Sequence, residues 1–522
     1  QPGCRRFKLP LGRGRIDVQR ATPKFAQKVT PLWPLKTAQR AIVVAGCLGM
    51  VYTQLTTSPA IIQFCRSLGG NGLHIGILGA LPTGMLFIQF LSALLANHIQ
   101  HRRWVWFVAS CIQRVLYVPM ALAPLVWPDV SGAVWVWTLL AVMALEQGLL
   151  HFSTPLWLSW MGDYLPHEGL NKFWGVRQVW MQWLAAFSLL GGSLLLLKSG
   201  LAIGPAFLLL ASVAAVFGIA DLLFFLKIEE PLAKRDPNPQ MFKVLKQPFQ
   251  HRDFRRFILF TSFWHVAAMV GAPFISLYLL DYIGMSLFSV MTIWTASWVG
   301  GALFSRKIGA WAEEYGHRPI LIISTALKPL NMLALLLIPR DPTIAMCVLV
   351  PVFMFDQVLN AGIAIANNGF MIKNSPAQNR TMFIASGTAL AGLVGGITSV
   401  VAGYGLNSMS GWTFHMFNTD YVNYHALFAI SFALRVASAV LAPWLREPSA
   451  HNVKDVLTQL VGVMPWRVLR FPVGLELSPR PQKRYVISMN SHTHLAKSVP
   501  HHPLADSISK PSKEKQPMVV SS

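Results

Sequence analysis

A chain of 522 residues with 53% hydrophobic and only 12% charged residues is too apolar for a water-facing surface, which excludes an ordinary soluble multidomain protein. The formal charge of +23 reflects 44 Lys and Arg against 21 Asp and Glu, with the cations placed in the two ends of the chain and in alternate loops. That placement is an orientation signal and argues against a nucleic-acid partner.

Residues 1–38 form a basic segment without an apolar core followed by a small-residue cleavage site, so it reads as an N-terminal tail rather than a signal peptide. Twelve apolar stretches of roughly 20 to 27 residues follow, each long enough to cross a ~30 Å hydrocarbon layer. They are expected near 40–65, 74–97, 104–126, 133–160, 175–198, 201–226, 256–280, 286–308, 319–339, 343–367, 381–405 and 424–446. The fold class is therefore an all-α polytopic membrane protein of twelve transmembrane helices in two six-helix bundles, 39–226 and 256–446. A long polar loop, 227–255, separates them. Odd-numbered breaks carry little beyond Arg66, Lys198 and Arg340, whereas the opposite side is rich in Arg and Lys. The positive-inside rule then puts both termini and the central loop in the cytoplasm of a cell membrane. The end of the chain, 447–522, reads as a cytoplasmic tail with one amphipathic candidate, VLTQLVGVMPWRVLRF, interrupted by Pro465. Beyond about Ser478 its composition is that of a disordered segment, in which His492, His494, His501 and His502 have no fixed ligand geometry.

The two bundles repeat one another. Pro59 in SPAIIQF stands eleven residues before Gly70, and Pro273 in APFISLY stands eleven before Gly284, an offset of 214 in each case (273 − 59, 284 − 70). Arg114 in the third span and Lys328 in the ninth are also 214 apart (328 − 114). Glu146-Gln147 in the fourth and Asp356-Gln357 in the tenth are offset by 210 (356 − 146). Transporters often carry such internal repeats.

After the eighth span comes Gly309-Ala-Trp-Ala-Glu313-Glu314-Tyr-Gly316-His317-Arg318. It matches the G-x-x-x-(D/E)-x-x-G-(R/K)-(R/K) signature of the major facilitator superfamily, and over about residues 38–447 the chain resembles that superfamily. In this spacing Gly309 is expected to let two helices approach, Glu313 to cap a neighbouring helix or pair with a cation, and Gly316 to permit a tight turn. Together with Arg318 they form a candidate conformational latch. The corresponding first-half loop, counted back from Arg103, has Leu94, His98 and His101 where the second half has Gly309, Glu313 and Gly316. Its acid is missing. A second resemblance, Trp157-Leu-Ser-Trp160-Met-Gly-Asp163-Tyr-Leu-Pro166 with Lys172-Phe-Trp-Gly-Val-Arg177, is to a bacterial group of these transporters without assigned substrates. The fifth span, LAAFSLLGGSLLLL, lacks the Gly-Pro signature of drug/proton antiporters.

Ionisable residues at mid-span cost at least ~2.5 to 3.5 kcal/mol each, so they pair or line a cavity. Arg114 with Glu146, and Lys328 with Asp356, are expected to form two symmetry-related ion pairs, with either a structural or a proton-coupling role. Asp221 is placed near a cytoplasmic end, and Arg435 lies deeper without an identified partner. The resemblance implies that spans 1, 4, 7 and 10 line a central cavity. This nominates Tyr52, Gln54, Thr57, Trp264, His265 and Asn360, together with Asp356, as substrate-binding candidates.

The expected function is a secondary active transporter that moves a small solute by alternating access. Protons are the expected coupling ion, because Glu146, Asp356 and His265 can titrate and no phosphate-binding loop is present. A non-transporting membrane sensor or scaffold on the same fold is the alternative. An intramembrane enzyme ranks last, since HExxH and GxSxG are absent. The five cysteines, Cys4, Cys47, Cys65, Cys111 and Cys347, have no paired spacing, so no disulfide framework, metal or cofactor is expected. The expected partners are a small molecule of unknown class, the lipid bilayer and protons, and the expected state is a monomer.

Overall fold

The computed structural model describes residues 33–89, 92, 101–166, 170–231, 250, 252–374, 380–416, 419–445, 447, 450–453 and 456. Most of the tail before residue 38, most of the central loop, Leu94, His98 and the C-terminal histidines lie outside the described residues. So does the amphipathic candidate beyond Val456.

Among the described residues, twelve helices are long and apolar enough to cross a membrane. The first six spans are Leu35–Ser67, Gly72–Gln89, Arg102–Val126, Gly132–Tyr164, Phe173–Ser199 and Ile203–Phe225. The second six are Phe254–Asp281, Leu287–Tyr315, His317–Leu337, Pro342–Phe370, Ser386–Ser408 and Asn423–Trp444. Large apolar side chains such as Val216, Leu337, Val401 and Val440 are more than 60% exposed, which only a hydrocarbon solvent makes favourable.

Among the described residues five spans are interrupted, the second at Met85-Leu86 and four others at places that follow the repeat. The first span gives way at Thr57-Ser58, where Ser58 Oγ caps the new helix that begins at Pro59. The seventh gives way at Gly271, with a short 3₁₀ turn, Ala272–Phe274, around Pro273. The third breaks at Leu116, just before Pro119, and the ninth at Lys328, just before Pro329. In each case the proline removes an amide donor from the ladder. A two-stranded antiparallel hairpin, Thr413–Met416 with Thr419–Val422, was not anticipated and joins the eleventh and twelfth spans.

The two bundles meet along spans 2 and 11 and along spans 5 and 8. The first contact is a glycine seam. A Cβ on Gly76 would stand 2.6 Å from the Ser399 carbonyl oxygen, and one on Gly403 would stand 2.7 Å from that of Gly72. Ser399 Oγ donates to the Gly76 carbonyl at 2.7 Å across the same seam. Small residues of this kind let membrane helices pack backbone to backbone. At the second contact Gln182 Nε2 lies 3.2 Å from Ser305 Oγ.

The ends of the bundle differ. At the cation-poor end Arg66 forms a 2.9 Å ion pair with Asp281 across the halves. One hydrophobic core runs through both halves there, joining Phe64, Leu78 and Tyr117 to Phe274, Leu277 and Leu406. Toward the cation-rich end the buried clusters stay within each half: Trp106, Trp160 and Phe225 in the first, Phe257, Leu321 and Phe370 in the second.

Two neighbouring glycines test the seam. Gly403→Ala should lower the thermal unfolding temperature in detergent, because the added methyl meets backbone, at a cost of about 1–3 kcal/mol. Gly405→Ala on the same helix meets nothing within 4 Å and should leave stability unchanged or raised by up to ~1 kcal/mol. Equal effects would contradict the seam.

Candidate functional site

The mid-span ionisable side chains gather into one cluster per half. In the first half Glu146, 2% exposed, accepts from Gln113 Nε2 at 2.6 Å and from Gln147 Nε2 at 2.7 Å. The Tyr52 hydroxyl donates to the Gln113 carbonyl at 2.9 Å and reaches Glu146 Oε1 at 3.5 Å. Glu146 is thus held by neutral donors.

The ion pair expected between Arg114 and Glu146 does not form. Arg114 Nη2 lies 2.8 Å from Asp221 Oδ2 on the sixth span, and its guanidinium stacks 4.3 Å from the centre of the Tyr52 ring. Glycines decide the direction. A Cβ on Gly218 would sit 2.5 Å from Arg114 Cδ, and one on Gly49 would sit 2.8 Å from Asp221 Oδ2, so both sites are open only because those positions lack side chains. Asp221 is accordingly buried at 5% exposure, not released to an interface as the sequence suggested.

In the second half Lys328 Nζ lies 2.6 Å from Asp356 Oδ1 and donates to the Asp356 carbonyl at 3.3 Å. Asn360 Nδ2 donates to Asp356 Oδ2 at 3.3 Å and to Gln357 Oε1 at 3.1 Å. Arg435, 2% exposed, finds neutral acceptors: Asn331 Oδ1 at 2.9 Å and Ser431 Oγ at 3.2 Å. Its guanidinium stands 6.0 Å from the Trp264 ring.

Asp221 and Arg435 are themselves offset by 214 (435 − 221), so the repeat extends to a third position with its charge reversed. The first cluster, Arg114, Glu146 and Asp221, has one carboxylate more than it has cations. The second, Lys328, Asp356 and Arg435, has one cation more.

The nominated cavity residues divide. Tyr52 joins the first cluster and Asn360 the second, while Trp264 packs in a hydrophobic cluster and touches Arg435. Gln54 is buried at 7% exposure. Thr57 Oγ1 donates to the Thr53 carbonyl at 2.6 Å at the helix break, and His265 Nδ1 engages the Thr261 carbonyl at 2.8 Å. Neither Thr57 nor His265 makes a hydrogen bond to a residue of the two clusters. Gln113, Asn331 and Ser431 were missed by sequence reasoning. Gln113 had a signal, being next to Arg114.

The latch differs from its expected form. Gly316 ends the eighth span with φ +94° and so does require glycine, but a Cβ on Gly309 would meet nothing within 4 Å among the described residues. Glu313 is exposed and makes no hydrogen bond or ion pair among the described residues. The acid at the start of the ninth span is instead Glu447, whose Oε2 accepts from the Arg318 amide at 2.7 Å, while Arg318 Nη2 donates to the Pro443 carbonyl at 3.0 Å. The first half does the same. Glu230 Oε1 accepts from the Arg103 amide at 3.2 Å, Arg102 pairs with Asp163 at 2.8 Å, and Trp160 Nε1 donates to the Glu229 carbonyl at 2.9 Å. The Trp157–Arg177 stretch therefore ties spans 3, 4 and 6 together, with Arg177 stacked 5.1 Å from Trp157.

Removing one partner of a buried pair leaves an uncompensated charge, at about 3–5 kcal/mol. Asp221→Asn and Asp356→Leu should each lower the unfolding temperature strongly. Glu146→Gln should lower it less, since its neighbours are neutral, and Lys328→Met with Asp356→Leu should recover most of the Asp356→Leu loss. Thermal unfolding in detergent checks the order; Glu146→Gln as damaging as Asp221→Asn would contradict the pairing.

A sequence profile of the Major Facilitator Superfamily matches residues 41–399. No curated protein matches the sequence significantly. Among solved structures, a point variant of the nucleoside transporter NupG is 15% identical with a TM-score of 0.60, covering 79% of this chain and 100% of that one. A D-xylose-proton symporter is 13% identical with a TM-score of 0.58, over 81% and 99% of the two chains. An inward-facing bacterial homolog of the human lysosomal transporter Spinster is 16% identical with a TM-score of 0.54, over 80% and 95%. Twelve spans, a repeat kept in frame through buried charges, and a profile match over most of the chain lead to one assignment: the chain belongs to the Major Facilitator Superfamily.

Proposed function

We propose that this protein is a secondary transporter that carries a small polar solute across the membrane by rocking its two halves around a midplane site, with protons as the coupling ion. The observation that carries the reading is the contrast between the two ends. One hydrophobic core crosses the halves at the cation-poor end, whereas the cores toward the cation-rich end remain separate. An interface built this way opens at one end while it closes at the other.

With the termini placed in the cytoplasm of a cell membrane by the cation bias, the closed end faces outward. The Arg66–Asp281 pair is then an outer contact that has to break once per cycle. The Arg114–Asp221 and Lys328–Asp356 pairs each lie within one half and so survive the rocking. A nucleoside transporter and a D-xylose-proton symporter share the fold, and small polar solutes are accordingly the first class to try here. A sensor or scaffold on the same fold is the competing reading, but no described residue forms a folded domain outside the bundle.

Uptake into proteoliposomes across a panel of sugars, nucleosides, amino acids and organic acids, with and without an imposed proton gradient, tests this. At least one solute should accumulate under the gradient, and a protonophore should abolish the accumulation. Failure across the panel in both directions would favour the sensor.

A further inference from the structure

The two charge clusters stand at equivalent places in the repeat, yet they leave different groups without a counter-ion. Asp356 is committed: Lys328 Nζ lies 2.6 Å away, and Asn360 occupies its second oxygen. Asp221 is committed in the same way to Arg114 at 2.8 Å. Glu146 is not. Its two oxygens meet the amide groups of Gln113 and Gln147 and the Tyr52 hydroxyl, and no cation lies within ion-pair distance among the described residues.

We propose that Glu146 is the proton-exchange site of the protein, cycling between carboxylate and neutral carboxylic acid, whereas Asp356 and Asp221 are taken up in ion pairs with Lys328 and Arg114. The step is −COO⁻ plus H⁺ giving −COOH, with the proton drawn from the aqueous phase on one side and returned to the other. This deepens the proton-coupled reading and rests on it.

The surroundings suit such a site. From the first span Glu146 meets Tyr52; from the third it meets Gln113, with Arg114 turned away toward Asp221 of the sixth span. Tyr117, also on the third span, is buried, and its hydroxyl has no hydrogen-bond partner among the described residues. A neutral carboxylic acid needs one acceptor, and the Tyr52 oxygen at 3.5 Å, whose own hydrogen goes to the Gln113 carbonyl, is placed to be that acceptor. On its own helix Gln147 is the polar neighbour, and His151 is engaged elsewhere, by Gln89 at 3.0 Å and the Pro82 carbonyl at 2.9 Å.

Two forms of the carboxyl are thus both hydrogen-bonded without any rearrangement of a salt bridge. In the charged form the Gln113 and Gln147 amides donate to it; in the neutral form its own hydroxyl donates to the Tyr52 oxygen. Tyr52 also links the site to its neighbour, since its ring lies under the Arg114 guanidinium at 4.3 Å. A change of charge at Glu146 is therefore felt by the Arg114–Asp221 pair through one shared side chain.

Infrared difference spectroscopy of the full chain in lipid nanodiscs, titrated with acid and base, reads this directly. The wild type should show the C=O stretch of a neutral carboxylic acid that shifts in D₂O and disappears on titration with base. Glu146→Gln should lose that band, and Asp356→Asn should keep it. A band that survives Glu146→Gln, or a wild type with no such band while it remains folded, would overturn the assignment. If Glu146→Gln does not fold, Gln113→Leu decides: removing the 2.6 Å donor should move the band, and an unmoved band would overturn the assignment. Uptake that ignores a proton gradient while the band behaves as expected would instead reject coupling and leave the site standing.

Discussion

A charge at mid-span in hydrocarbon has to be compensated by something that moves with it, and this constraint organises the whole bundle. Arg114 is answered by Asp221, Lys328 by Asp356, and Arg435 by Asn331 and Ser431, in every case within one six-span half. The contacts between halves are of another kind. They are a glycine seam, a serine-to-backbone hydrogen bond, a Gln182–Ser305 contact and one partly exposed ion pair, Arg66–Asp281. Strong polar interactions hold each half rigid, and weaker ones join the halves. That division allows relative motion without stranding a buried charge.

The repeat shows how duplication and divergence share the work. Broken spans at Pro59 and Pro273, and at Leu116 and Lys328, give both halves the same scaffold. The anchoring of the third and ninth spans is also shared, since Glu230 and Glu447 each receive an amide at the helix start. What differs is charge. At offset 214 an aspartate in one half corresponds to an arginine in the other, and the first half is left with a carboxylate whose hydrogen-bond partners are all neutral.

Depth and repeat were legible in the sequence, and direction around each helix was not. Hydropathy placed most of the spans within a few residues, although the eighth runs on to Tyr315 and the expected end of the second lies outside the described residues, and equal depth in neighbouring spans gave the Lys328–Asp356 pair. Arg114 was assigned to the wrong acid because depth alone leaves two candidates, and the choice depends on Gly218 and Gly49 making room for one of them. Asp221 was misplaced for a related reason: it stands four residues from the end of its span, near water by sequence position, but a long arginine side chain reaches it inside the protein. Glu447 was invisible as a cap because it lies 129 residues from Arg318 in the chain. Gly309 fitted a motif without fitting a contact, since glycine at that spacing does not say whether a second helix is near.

The rocking proposed for the two halves would have a direct geometric consequence. Spin labels at Ser67 and Thr343 report the cation-poor end, and labels at Gly162 and Asn368 report the cation-rich end; all four positions are exposed. Double electron–electron resonance on each pair, in a background without native cysteines and across acidic and alkaline conditions, measures both separations. Alternating access predicts two distances for each pair, with the short population at one end rising as the long population at the other end rises. A single unchanging distance at both ends under every condition would contradict it.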